Sequence, residues 1–116
     1  MAAEQSIVVV FKTDGMGITD QQPLKEKLAK TFLTLTNQMD LLPEVICFYT
    51  DGVKLACEGS PVLNELATLE ASGVRLILCQ TCLNEFGLGD QVRVGIVGGM
   101  GDIITALWQA DKVIMI

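Results

Sequence analysis

Ile7-Val8-Val9-Val10-Phe11 is five apolar residues in a row, four of them β-branched. A half-buried strand alternates apolar and polar positions, so an unbroken run reads as a strand buried on both faces. Asp14-Gly15-Met16-Gly17 then forms a loop. A helix is expected from about Pro23, because proline is tolerated in a first turn. Its Leu24, Leu28, Phe32, Leu35 and Met39 recur at helical spacing and read as its core face. Val45-Ile46-Cys47-Phe48-Tyr49 repeats the buried-strand signature and Asp51-Gly52 closes it, with a short helical turn from Val53 to Ala56. Ser60-Pro61 reads as N-cap and first helical residue of a helix through Val62, Leu66 and Leu69, stopped by Gly73. Val74 to Leu78 is a third strand, followed by a short helical segment from Thr81 to Phe86. Val92-Arg93-Val94 is expected as a fourth strand. A glycine-rich stretch from Gly95 to Gly101, a helix through Ile103, Ile104 and Leu107, and a last strand from Lys112 to Ile116 complete the chain.

This alternation implies an α/β fold with a parallel sheet and helices on both faces. In a parallel sheet every strand-to-helix loop emerges at the carboxyl edge. Four loops therefore gather there: the one at Asp14, the one from Asp51 to Ser60, the segment after Leu78, and the glycine-rich stretch. The 116 residues suit one domain spanning 1–116.

Composition narrows the function. Eight basic residues stand against fourteen acidic ones, and no Lys/Arg cluster occurs, so neither a nucleic-acid partner nor an anionic membrane surface is expected. The absence of histidine removes imidazole acid/base catalysis, Cys–His nucleophiles and imidazole zinc sites. Apolar runs are too short to span a bilayer, and no basic segment followed by an apolar stretch marks a signal peptide. A cytoplasmic location is the expectation. A 50% apolar content and a mean hydropathy of +0.45 are high for so short a chain and point to a subunit interface.

Cys79-Gln80-Thr81-Cys82 carries the chemistry. Cys79 stands where a strand ends and a helix begins, a place where backbone N–H groups favour a thiolate. Cys82 lies one turn on, close enough to resolve a mixed disulfide. The competing reading is two small core residues. A zinc or iron–sulfur half-site would need two more ligands, and of the other cysteines Cys57 alone lies in a loop at that edge, so no metal is expected. A thioredoxin-type motif would need a later cis-proline, and no proline follows Pro61. Cys57 reads as a packed small residue or an extra thiol facing Cys79, and Cys47 as core. Neither glycine cluster completes a phosphate cradle. Asp20 takes the place of the third glycine in the first, and the second lacks a P-loop lysine. Asp102 reads as a helix cap.

Several stretches together resemble the DsrE-like sulfur-relay family: Asp14-Gly15-Met16-Gly17, Gly52-Val53-Lys54-Leu55, Glu58-Gly59-Ser60, Cys79-Gln80-Thr81-Cys82-Leu83-Asn84 and Ala110-Asp111-Lys112-Val113-Ile114. The likeness is greatest to the C-terminal domain of YedF-type selenium-metabolism proteins. The family's usual cysteine motif is C-G-T-C, and Gln80 replaces its glycine. The resemblance implies a three-layer α/β/α fold with five parallel strands and homo- or hetero-oligomers, often trimers or hexamers; a dimer is the smaller alternative. It makes Cys79 the relay cysteine, with Cys82 beside it; Asp14, Gly15, Cys57, Glu58, Ser60, Gln80 and Thr81 are the candidates for the surrounding site loop. The expected function is a sulfur carrier or sulfurtransferase-like protein without a cofactor. Cys79 would take sulfane sulfur as a persulfide and Cys82 would resolve it. YedF-type proteins have a TusA-like domain ahead of this one, so a donor such as a TusA-like protein would act in trans. The alternative is a non-catalytic oligomeric binding or redox-sensing protein of the same fold.

Overall fold

A computed structural model describes residues 5–116. Five parallel strands form one sheet: β1 (Ile7–Phe11), β2 (Val45–Phe48), β3 (Arg75–Cys79), β4 (Ile96–Gly98) and β5 (Lys112–Met115), in the order β4-β3-β2-β1-β5. Helix α1 (Gln22–Gln38) joins β1 to β2. A 3-10 segment (Thr50–Ala56) and α2 (Leu63–Ala71) join β2 to β3, α3 (Gln80–Phe86) joins β3 to β4, and α4 (Met100–Gln109) joins β4 to β5. The first three connections step along the sheet in one direction and the last runs back across it. Right-handed crossovers then place α4 on the face opposite α1 and α2.

The buried runs seen in the sequence form the centre. Val8 to Phe11, Val45 to Phe48 and Leu76 to Cys79 are all buried. Phe11 stacks on Phe48 with ring centroids 5.7 Å apart and meets Phe32 of α1 edge-on at 6.3 Å. Leu33, Leu66 and Leu69 complete that layer, while Ile103 of α4 packs on the other face. Asp102 caps α4, accepting the Gly99 N–H at 3.0 Å.

Three expectations shift. The fourth strand is Ile96–Gly98, not 92–94, and Val92 instead forms an isolated antiparallel bridge with Cys57. The N-cap of α2 is Val62, two residues later than Ser60, whose hydroxyl accepts the Val62 N–H. In α1 the buried residues are Ala29 and Leu33, while Leu24, Leu28, Leu35 and Met39 are exposed. The apolar arc of α1 is wider than the strip the sheet covers, and spacing alone does not say which side of such an arc turns inward.

Cys47 lies in mid-strand, and burial pushes its thiol up to about 11, with the Arg75 charge pulling weakly the other way. An unfolded cysteine loses its proton near 9. Between these values the folded chain holds the proton that the unfolded chain has released. Stability should therefore fall as pH rises from 9 toward 11, by roughly 3 kcal/mol at most from this group. Urea unfolding of wild type and Cys47→Ala at pH 8 and pH 10.5 checks this. The variant should lose less stability over that interval, and equal losses would show that Cys47 is not the group responsible.

Candidate functional site at the carboxyl edge

The site is built where β2 and β3 end. After Cys79 the chain turns directly into α3, and Gly87 closes that helix with φ 67, a left-handed conformation glycine adopts without penalty. Leu83 is the buried anchor of α3. The helix docks against the 3-10 segment, which is itself tied to the end of β1. Tyr49 donates its N–H to the Phe11 carbonyl at 3.2 Å, and the Thr50 hydroxyl lies within hydrogen-bond distance of the Lys12 and Tyr49 carbonyls.

All four cysteines are free thiols. Cys79 is the N-cap of α3 and is 1% exposed, and its sulfur makes no cap hydrogen bond. Cys82 is half-buried, and its sulfur accepts the Thr50 N–H at 3.0 Å. The Cys79 sulfur is near enough to act on the Cys82 thiol. Burial and the neighbouring Cys79 sulfur raise the Cys82 pKa, the Thr50 N–H opposes this, and Asp51 adds to the rise. Around them, Lys54 pairs with Asp51 at 2.7 Å and lies 4.5 Å above the Phe86 ring. Cys82 is the more accessible of the two residues and Cys79 the buried one.

The remaining sequence candidates divide. Asp14, Cys57, Glu58 and Ser60 line a cleft of about 290 Å³ together with Lys54 and Leu88. Each already has a structural bond. Asp14 pairs with Lys25 at 2.8 Å, which holds its carboxyl below the usual value, and Glu58 pairs with Arg93 at 2.8 Å. The Ser60 hydroxyl accepts the Val62 N–H at 3.1 Å. Cys57 is 2% exposed and donates to the Val53 carbonyl at 3.2 Å, which is the packed reading. Gly15 lets the first loop lie against α1, since a Cβ there would sit 2.5 Å from that of Lys25. Gln80 and Thr81 are exposed on the first turn of α3. Among the described residues, no three His, Cys, Asp or Glu side chains converge as metal ligands would. No helix among them is long and apolar enough to cross a membrane.

Sequence reasoning missed Thr50, Asp51, Lys54 and Phe86 as neighbours of the thiol pair. A contact between residues 32 positions apart leaves no local signal. What α3 carries was legible, but not the surface on which it rests.

Comparison with known proteins agrees with this architecture. The ychN protein from E. coli superposes with a TM-score of 0.68 at 20% identity, covering 97% of this chain and 99% of its own. MTH1491 from Methanobacterium thermoautotrophicum, described as a protein of unknown function, gives 0.67 at 19% identity over 97% and 99%. BT1422 from Bacteroides thetaiotaomicron, a conserved protein of unknown function, gives 0.67 at 19% over 100% and 98%. At such identities the likeness shows the fold. No curated protein matches the chain. The model of the DsrE/DsrF-like family matches residues 16–116, which hold four of the five strands and all four helices, and the chain therefore belongs to the DsrE/DsrF-like family.

Proposed function

We propose that the protein is a sulfur carrier that holds sulfane sulfur as a persulfide on its Cys79/Cys82 pair and hands it to a partner thiol. The observation that carries this is the pairing of a half-buried cysteine with a buried one at the carboxyl edge, in a member of a family associated with sulfur relay. Because Cys79 is buried and Cys82 is not, the reading makes Cys82 the accepting sulfur and Cys79 the resolver, the reverse of the roles expected from the sequence.

The chemistry balances without a cofactor. The Cys82 thiolate attacks the terminal sulfur of a donor persulfide. A Cys82 S–S bond forms, the donor's S–S bond breaks, and the donor leaves as a thiolate. An acceptor thiolate repeats the step on the carried sulfur. If no acceptor arrives, the Cys79 thiolate attacks Cys82 Sγ. That expels hydrosulfide and leaves a Cys79–Cys82 disulfide, which a thiol reductant returns to two thiols. The reading takes the protein to be cytoplasmic, where thiols stay reduced, with a TusA-like donor acting in trans. The test is intact-mass spectrometry after exposure to several sulfane-sulfur donors. Gain of one sulfur atom per chain is expected, and no gain from any donor would favour a binding or redox-sensing role.

The reading also includes a homo-oligomer. Met100, Ile104 and Trp108 repeat every fourth residue along α4, all exposed, and the Trp108 side chain is 82% exposed. A stripe of this size on a short acidic chain fits a contact with a second copy. Light scattering should show an oligomer for wild type and a smaller species for Trp108→Glu. A wild-type monomer over a wide concentration range would remove this part of the proposal.

A further inference from the structure

We propose that the backbone N–H of Thr50, aimed by a left-handed backbone, fixes the negative charge of the Cys79/Cys82 pair on the Cys82 sulfur. Thr50 has φ 48. For a β-branched residue this region is disfavoured, and such residues persist where their surroundings hold them. Here the hold is visible. The Thr50 hydroxyl is tethered to the carbonyl of Lys12, just past β1, and to that of Tyr49. Two residues on, Gly52 packs directly against the Phe11 carbonyl.

Thr50 is also the first residue of the 3-10 segment, so its N–H has no partner within that segment. The Cys82 sulfur satisfies it at 3.0 Å. Cys79 makes no comparable cap bond. An N–H aimed at a sulfur stabilises its thiolate, so this bond favours negative charge on Cys82. Burial, the Cys79 sulfur and the Asp51 carboxylate oppose ionisation of Cys82 while the Thr50 N–H favours it, and Asp51 is itself paired with Lys54. Thr50 therefore directs the reactive form of the pair to the sulfur that solvent can reach.

This rests on the reading that the pair does the chemistry, but its test needs no sulfur donor. The pH profile of iodoacetamide labelling at Cys82 is followed by peptide mass spectrometry in wild type, Thr50→Val and Thr50→Gly. Valine keeps the β-branch and loses the tethering hydroxyl, so the backbone can relax and withdraw the N–H. Glycine adopts the left-handed conformation freely and keeps the N–H in place. The valine profile should move up by about one pH unit, roughly a tenfold slower reaction near neutrality, while glycine stays within about twofold of wild type. In wild type, the Thr50 amide resonance should titrate with the Cys82 midpoint and lose that titration in Cys82→Ser. This measurement stands even if Thr50→Val fails to fold. Matching profiles for all three proteins, or a Thr50 amide indifferent to pH through that midpoint, would overturn the proposal. Sulfur loading would be untouched by that failure, just as a normal profile with no sulfur adduct would count against the carrier reading alone.

Discussion

Cys82→Ser should load no sulfane sulfur, while Cys79→Ser should load one sulfur atom and keep it longer than wild type. The reason is access followed by geometry. A donor persulfide must bring its terminal sulfur into line with the attacking thiolate, and Cys79, at 1% exposure, offers no such approach. Cys82 does, and its sulfur is the one that receives the Thr50 N–H. Once loaded, the adduct has one nearby internal attacker, the neighbouring Cys79 thiol. Removing Cys79 removes that route, so the adduct should decay roughly tenfold more slowly or better, limited by external thiols. Intact-mass spectrometry on both variants after equal donor exposure reads the result. A sulfur adduct on Cys82→Ser with none on Cys79→Ser would restore the roles expected from the helix-start position of Cys79. It would also mean that the edge opens enough to expose that sulfur.

The second large effect is on stability. In Gly52→Ala the new Cβ would lie 2.0 Å from the Phe11 carbonyl oxygen, 2.7 Å from its carbon and 3.3 Å from the Lys12 nitrogen. These are backbone atoms at the end of a strand paired on both sides, by β2 and β5. No side chain can rotate away to make room, so either β1 or the 3-10 segment must shift. A loss of about 3 kcal/mol or more is expected, at the upper end for overpacking in a core. In thermal unfolding this should appear as a fall in Tm on the order of 10 °C. The surviving folded protein should also show an altered Cys82 pH profile, because the segment that carries Thr50 has moved. A Tm within about 2 °C of wild type would show that the close approach is not a constraint in solution.

The two predictions draw on different levels of information. Strand order was not legible, but strand existence was. Runs such as Val8 to Phe11 and Leu76 to Leu78 are locally unambiguous, because continuous β-branched and aliphatic sequence is suited to a buried parallel strand. The apolar stripe of α1 shows where this kind of reading stops. Leu24, Leu28, Leu35 and Met39 have the correct helical period, yet Ala29 and Leu33 face the sheet. Periodicity reports that a helix has an apolar side. How much of that side is covered depends on where its neighbours lie. The fourth strand was misplaced for a related reason. Val92 and Val94 are suited to a strand, but pairing with β3 falls to Ile96 and Val97, after the turn at Gly95.

At the site, the sequence by itself determined the two thiols, their one-turn spacing and their place after a buried strand, since these follow from local pattern and the parallel order of the sheet. It also determined that Cys47 is core. Only the tertiary structure decided which of the two thiols faces solvent. That outcome turns on how α3 settles against the 3-10 segment, through Leu83 below and Thr50, Lys54 and Phe86 alongside. Burial and hydrogen-bond direction are properties of what surrounds an atom in space, and residues 50 and 82 become neighbours only once β2 and β3 have paired.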